Sequence, residues 1–248
     1  MTTTSTTHDT EDPTKMRLEL LHIQKNAGTL LEVVASRHNI SWGACHFTFP
    51  WKTRAKQFNQ CPAVAKSISS KEVYWHWPLQ HVDVHHYDNL QDIEYAKRPK
   101  KFFVVIRNPY DRLISLFYMN NSNKQWGFYN ENNMNSYIQK TLHNPKTVGL
   151  TYHNASLCQY HYVFDQNNTQ MVDHMVQFEY LSEDFNLLSQ TYGLNITIPK
   201  EEMINVNLRK RNEVQKMTVH NLTRTTRVLI NSMCAHDFQL VRGYQLLN

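Results

Sequence analysis

Twice in this chain an apolar run of strand length stops at a basic or polar turn and passes straight into a run of helical periodicity. The first is Arg17 to Ile23 (RLELLHI), followed by Gln24-Lys25-Asn26-Ala27-Gly28-Thr29 and a periodic stretch from Leu30 to about Arg37. The second is Lys101 to Ile106 (KFFVVI), followed by Arg107-Asn108-Pro109 and by Tyr110 to Tyr118, where Leu113, Ile114 and Phe117 share one face. Short unbroken apolar runs are strands buried on both faces, and a strand leading directly into a helix predicts a parallel sheet. Pro109 suits the first turn of the second helix, where a missing N–H costs nothing. The expected fold class is α/β, a central parallel sheet flanked by helices.

Other segments fit this layout. Glu72 to His76 (EVYWH) and Met175 to Phe178 (MVQF) read as further strands, and Ser182 to Tyr192 as a helix ended by Gly193. Ser182 is the expected cap of that helix, with Glu183 and Asp184 in its first turn. Asn212 to Phe238 reads mainly as helix, and the Asn-rich stretch Met119 to Met134 as a surface loop. Residues 1–15, rich in Thr, Ser, Asp and Glu, are too polar to pack and read as a disordered tail. No linker-like stretch divides the remainder, so residues 16–248 are expected to form a single domain.

The charge balance bounds the partners. A net charge of +5 is slight for a protein that lives on nucleic acid but suits a small anionic ligand. No run of eighteen apolar residues occurs and no secretory leader is visible, so neither a membrane span nor secretion is expected, and a cytoplasmic location follows. The four cysteines, Cys45, Cys61, Cys158 and Cys234, show no metal-ligand spacing and read as scattered thiols of an intracellular protein.

Ligands of open α/β sheets bind beyond the carboxyl ends of the strands, onto which both turns open. In the first, Ala27 and Gly28 allow backbone amides to point at one anion at a helix N-terminus, with Lys25 and the Thr29 hydroxyl closing round it. The order differs from a Walker loop, because the lysine precedes the glycine. In the second, Arg107 presents a rigid fork, with Ser115 two helical turns further on. Two anion cradles on one sheet edge suit a nucleotide with phosphates at both ends.

These segments carry a resemblance. Leu21-His22-Ile23-Gln24-Lys25-Asn26-Ala27-Gly28-Thr29 resembles the 5′-phosphosulfate loop of sulfotransferases that use 3′-phosphoadenosine 5′-phosphosulfate (PAPS), and Phe103 to Tyr118 (FVVIRNPYDRLISLFY) is similar to their 3′-phosphate motif. The similarity is to the carbohydrate, Golgi-type branch. It continues in order through Ser156 to Tyr160, Val172 to Gly193, Asn205 to Asn207 and Asp237 to Tyr244. It implies the P-loop-like, three-layer sulfotransferase fold. The implied reaction moves the sulfuryl group of PAPS to a hydroxyl or amine of a small metabolite or carbohydrate acceptor, with adenosine 3′,5′-bisphosphate as product and no metal.

Site roles follow from the resemblance. Lys25 neutralises the leaving phosphate, Asn26, Ala27, Gly28, Thr29 and Leu30 line the phosphosulfate loop, and Arg107 and Ser115 hold the 3′-phosphate. Arg209 and Arg211, in the basic stretch Leu208 to Arg211, lie over the adenosine. Three positions depart from the family pattern: Gln24 replaces a proline, Asn26 a hydroxyl residue and Leu30 often a hydroxyl residue. The Asn26 amide is therefore expected to supply a hydrogen bond to the phosphosulfate. His76 occupies the place of the family's general base, with His81 and His85 as alternatives because extra residues separate that place from Arg107. His22 is expected to orient the loop, and Glu179 to orient a neighbour. Relatives of this branch are anchored in the Golgi by an N-terminal helix, so a Golgi lumen address applies if an anchor has been removed. The rival expectation is a catalytically degenerate fold that binds a nucleotide or an anionic glycan.

Overall fold

The computed structural model describes residues 12–38, 40, 42, 76–81, 97–121, 129–144, 157–199, 217–243 and 246–247. Strands β1 (Arg17–Leu21), β2 (Lys100–Ile106) and β3 (His174–Gln177) form a parallel sheet in that order. Leu20 pairs with Phe103, and Phe103 with His174. All of β1 and the last five residues of β2 are buried, as strands covered on both faces of a sheet are. The helices among the described residues are α1 (Gly28–Arg37), α2 (Pro109–Asn120), α3 (Glu131–His143), α4 (Tyr160–Val163), α5 (Leu181–Thr191), α6 (Arg224–Met233) and α7 (Asp237–Leu240).

Side chains alternate across the sheet, so each strand feeds two cores. One face carries Leu18, Leu20, Phe103, Val105 and Val176 against Leu31 and Val34 of α1 and Phe185 and Leu188 of α5. The other carries Leu21, Phe102, Val104 and Ile106 against Tyr162 and Val163 of α4. Helices on both faces make the three-layer α/β architecture. A third cluster, with Leu113, Phe117, Tyr137, Ile138 and Ile230, joins α2, α3 and α6. β1 also buries an ion pair, Arg17 Nε to Glu19 Oε1 at 3.1 Å, with both side chains essentially inaccessible.

Several boundaries differ from the sequence expectations. α1 begins at Gly28 rather than Leu30. Pro109 does open α2, where the Asn108 side chain accepts from the Tyr110 and Asp111 amides. Ser182 is not a cap: α5 starts one residue earlier, after Tyr180, and Asp184 instead accepts from the Gln177 amide at 3.0 Å, tying the helix to the end of β3. The expected Asn-rich loop is shorter than Met119 to Met134, because α2 runs to Asn120 and Asn130 caps α3 by accepting from the Asn133 amide. Residues 122–128 of that loop lie outside the described residues. So do residues 72–75 of the expected strand, whose last member, His76, sits in a 3-10 turn. Pro13–Lys15, assigned to the polar tail, form a 3-10 turn whose Thr14 carbonyl accepts from Arg98.

The cysteine expectation needs correction. Cys158 and Cys234, 76 residues apart in sequence, are joined in a disulfide. Spacing along the chain conceals the pairing, because it is tertiary packing that brings the segment before α4 against the end of α6. Cys45 and Cys61 lie outside the described residues.

Candidate functional site

The turn after β1 is built from left-handed backbone. Lys25 (φ 68°) and Ala27 (φ 64°) both adopt the region that L-residues avoid. Ala27 caps α1 without a side-chain bond, and its carbonyl accepts from the Leu30 and Leu31 amides. A left-handed residue followed by a helical one turns successive N–H groups into a concave cup. Among the described residues, no group accepts from the amides of Ala27, Gly28 and Thr29. Together with the positive end of α1, three such donors complement an anion.

Gly28 is required for a reason other than backbone freedom. A Cβ there would lie 2.3–2.5 Å from three atoms of the His22 imidazole, which runs directly beneath the loop. His22 is locked in place, its Nδ1 donating to Glu32 Oε1 at 2.7 Å from within α1. Burial pushes its pKa down to about 3, and the charge of Lys25 adds to the effect, so the ring is neutral. His76 packs edge-on against it, ring centroids 4.5 Å apart, and Tyr162 donates to the His76 carbonyl at 2.6 Å. The His76 Nδ1 lies 3.2 Å from the His22 carbonyl. A carbonyl can only accept, so Nδ1 carries the proton and Nε2 is the unprotonated, basic nitrogen. Burial, and then the neighbouring His22, hold the His76 pKa well below the usual imidazole range.

The turn after β2 is fastened to the first by side chains. Arg107 Nη1 donates to the Lys25 carbonyl at 2.9 Å, and its guanidinium lies 4.2 Å over the Phe178 ring. The fully buried Arg112 donates through Nε to the Gln24 carbonyl at 2.9 Å and through Nη1 to the Leu157 carbonyl. Asn26, 1% exposed, donates to the Val105 carbonyl at 2.6 Å and to Gln159 Oε1 at 2.5 Å. Asn108 donates its amide to Glu179 Oε1 at 3.0 Å, anchoring the second turn to the residues after β3. The two turns at the carboxyl ends of adjacent parallel strands are thereby held as one unit.

A comparison with models of known families matches residues 13–242 to the sulfotransferase family. The chain belongs to the sulfotransferase family. No curated protein and no solved structure matches it.

In this member of the sulfotransferase family, the structure brings Lys25, Ala27, Gly28, Thr29, Leu30 and Arg107 together at one sheet edge, with Lys25 half-buried and Thr29 exposed. Ser115 lies on the partly accessible side of α2, with Asp111 and Tyr118. His81 is exposed at the end of a 3-10 turn, Leu79–His81. His85, Arg209 and Arg211 lie outside the described residues. Asn26 departs from its expected contact: both hydrogens of its amide are spent on Val105 and Gln159, so the side chain fastens the loop from within. The His22 ring lies against Gly28 and bonds Glu32 of α1, and Glu179 accepts from the Asn108 amide.

Three further residues were not singled out from the sequence: Arg112, Gln159 and Asp237. Arg112 falls inside the RNPYDR block, and Gln159 and Asp237 inside later blocks, so their membership was visible. Their partners were not, since Gln159 meets Asn26 across 133 residues and Asp237 across 78.

Proposed function

We propose that this protein transfers the sulfuryl group of PAPS to a hydroxyl or amine of a small metabolite or glycan. The observation that carries the reading is the joining of the two turns. The cup at Ala27, Gly28 and Thr29 and the side chain of Lys25 suit the 5′-phosphosulfate, while the Arg107 fork, bonded to the backbone of Lys25 itself, suits the 3′-phosphate of the same molecule. Three amide donors without a described acceptor at a helix N-terminus fit a phosphate group.

In the proposed mechanism the acceptor oxygen or nitrogen attacks sulfur in line with the bridging oxygen. The sulfur–oxygen bond to the 5′-phosphate breaks, and adenosine 3′,5′-bisphosphate leaves with the electron pair. Lys25 and the loop amides stabilise the charge that develops on that phosphate, and such preorganised donors contribute most of the rate in reactions of this type. The acceptor's proton passes to His76 Nε2. The bond from His76 Nδ1 to the His22 carbonyl supports this role, because it fixes the tautomer that leaves Nε2 as acceptor. The low pKa keeps the ring in its base form through neutral pH. Ser115 and the basic pair Arg209 and Arg211 complete the proposed grip on the nucleotide.

The Cys158–Cys234 bond bears on location. Disulfides persist in oxidising compartments and are rare in the cytosol, so it supports a lumenal or extracellular setting over the cytoplasmic one expected from sequence.

The test is a transfer assay with labelled PAPS over a panel of sugars, phenols and amines. Lys25→Ala is expected to lower turnover by about a hundredfold or more. His76→Ala is expected to remove activity while leaving adenosine 3′,5′-bisphosphate binding in place. Normal turnover by His76→Ala, with loss in His81→Ala or His85→Ala, would transfer the base role to one of those. Binding of adenosine 3′,5′-bisphosphate without transfer to any acceptor would favour a degenerate fold.

A further inference from the structure

The carboxamide of Gln159 lies where the two turns meet, and it is fully buried. Its Oε1 accepts from Asn26 Nδ2 at 2.5 Å and from the Arg107 amide at 2.9 Å. Its Nε2 donates to the Arg107 carbonyl at 2.7 Å and to Asp237 Oδ2 at 3.4 Å. Every hydrogen-bonding position of the amide is thus in use. By bonding both the N–H and the C=O of Arg107, it extends the end of β2 with a side chain in place of a neighbouring strand. Through Asn26 it reaches the first turn as well. One planar group therefore sets both the backbone from which the Arg107 fork springs and its distance from the phosphosulfate loop.

Gln159 is itself held from two sides. Its own amide donates to Asp237 Oδ2 at 2.8 Å, and the Tyr160 amide donates to Asp237 Oδ1 at 2.7 Å. Asp237 closes a turn onto the Cys234 carbonyl at 3.0 Å, and Cys234 is bonded through sulfur to Cys158, the residue before Gln159. Disulfide and carboxylate form a closed ring round the segment. Arg112 adds a third tie, to the Leu157 carbonyl. A buried segment tied at this many points is stiff.

We propose that Gln159, clamped by Asp237 and the Cys158–Cys234 disulfide, is a positioning residue that sets the Arg107 fork for the 3′-phosphate and so determines selectivity for a 3′-phosphorylated nucleotide. The proposal rests on the donor reading above and adds to it the residue that fixes the spacing of the two cradles. The Gln159→Glu substitution keeps size and shape but removes both donated bonds and sets a carboxyl against the Arg107 carbonyl and Asp237.

The experiment measures, by calorimetry, the affinities of the intact protein for adenosine 3′,5′-bisphosphate and for AMP, which lacks the 3′-phosphate, alongside melting temperature. In Gln159→Glu the affinity for the bisphosphate is expected to fall about tenfold, the size of a lost buried hydrogen bond, with AMP affinity changed less than about twofold. A purely structural role would lower the melting temperature and leave the bisphosphate-to-AMP ratio unchanged, which would overturn the proposal. If Gln159→Glu does not fold, Asp237→Asn, which weakens the clamp without touching Arg107, is read in the same assay. A smaller loss of the ratio is expected from it, and full retention would overturn the proposal. Equal binding of the two nucleotides by the unmutated protein would refute the donor reading itself, so the two failures are told apart by the unmutated ratio.

Discussion

Gly28→Ala tests the architecture of the first loop through the sign of its effect. Gly28 has helical backbone at the start of α1, and at such a position alanine ordinarily stabilises by about 0.4–1 kcal/mol through the unfolded state. Here the added Cβ would stand 2.3 Å from His22 Cδ2, 2.4 Å from Nε2 and 2.5 Å from Cγ, about 1 Å inside ordinary contact at 3.4 Å. Retreat of the ring is opposed by Glu32 at 2.7 Å on one nitrogen and by His76, whose ring packs at right angles to it. Overpacking costs about 1–3 kcal/mol, and stretching the bond to Glu32 adds about 1 kcal/mol more. The net expectation is a loss of about 2 kcal/mol, a fall in melting temperature of about 4–8 °C for a chain of this size. Removing the obstacle should reverse the sign: in a His22→Ala background, Gly28→Ala is expected to be neutral or stabilising. Thermal unfolding of the four proteins of this cycle gives the coupling directly. The same cost in both backgrounds, or none in either, would refute the claim that this glycine exists to admit the imidazole.

Other consequences can be measured independently. Cys158→Ser/Cys234→Ser opens a loop of 76 residues' separation and is expected to destabilise by about 2–4 kcal/mol, read as a lower denaturant midpoint; an unchanged midpoint would show the bond to be dispensable. His22 and His76 are buried neutral while the unfolded chain titrates near 6.5, so the unfolded state binds more protons below that pH. Stability is therefore expected to be full above pH 6.5 and to fall as pH drops toward 3, by about 1.4 kcal/mol per pH unit for each proton. A melting temperature flat from pH 7 to 5 would contradict this. Arg17→Met leaves the Glu19 carboxylate buried beside an apolar chain, with an expected loss of about 3–5 kcal/mol, whereas Arg17→Met/Glu19→Leu should recover much of it. A single variant as stable as the parent would mean the pair is not buried.

Much of the layout was legible in the letters. β1 and β2 could be read within a residue or two because their side chains are predominantly apolar, as burial on both faces favours, with the Arg17–Glu19 pair of β1 as the exception, and the turns after them announce themselves with Lys25, Gly28, Arg107 and Pro109. Ser182 misled because a hydroxyl followed by two acids is the local signature of a helix start, yet the chain winds into α5 one residue sooner and uses Asp184 as its tie to β3. Asn26 misled for a related reason. Its amide is as able to bond a ligand as a carbonyl, and only the position of Val105 and Gln159 decides which.

The sequence by itself determined the fold class and the two strand-ending turns whose charged residues crowd one sheet edge, since periodicity, apolar runs and motif spacing are properties of neighbours along the chain. Tertiary structure alone decided that Arg107 bonds the backbone of Lys25, that Gln159 stands between the two turns, that Gly28 makes way for a histidine and that Cys158 meets Cys234. Each of these joins residues separated by anything from six to more than a hundred positions, and a hydrogen bond or a steric clash depends on distance in space, to which order along the chain gives no access.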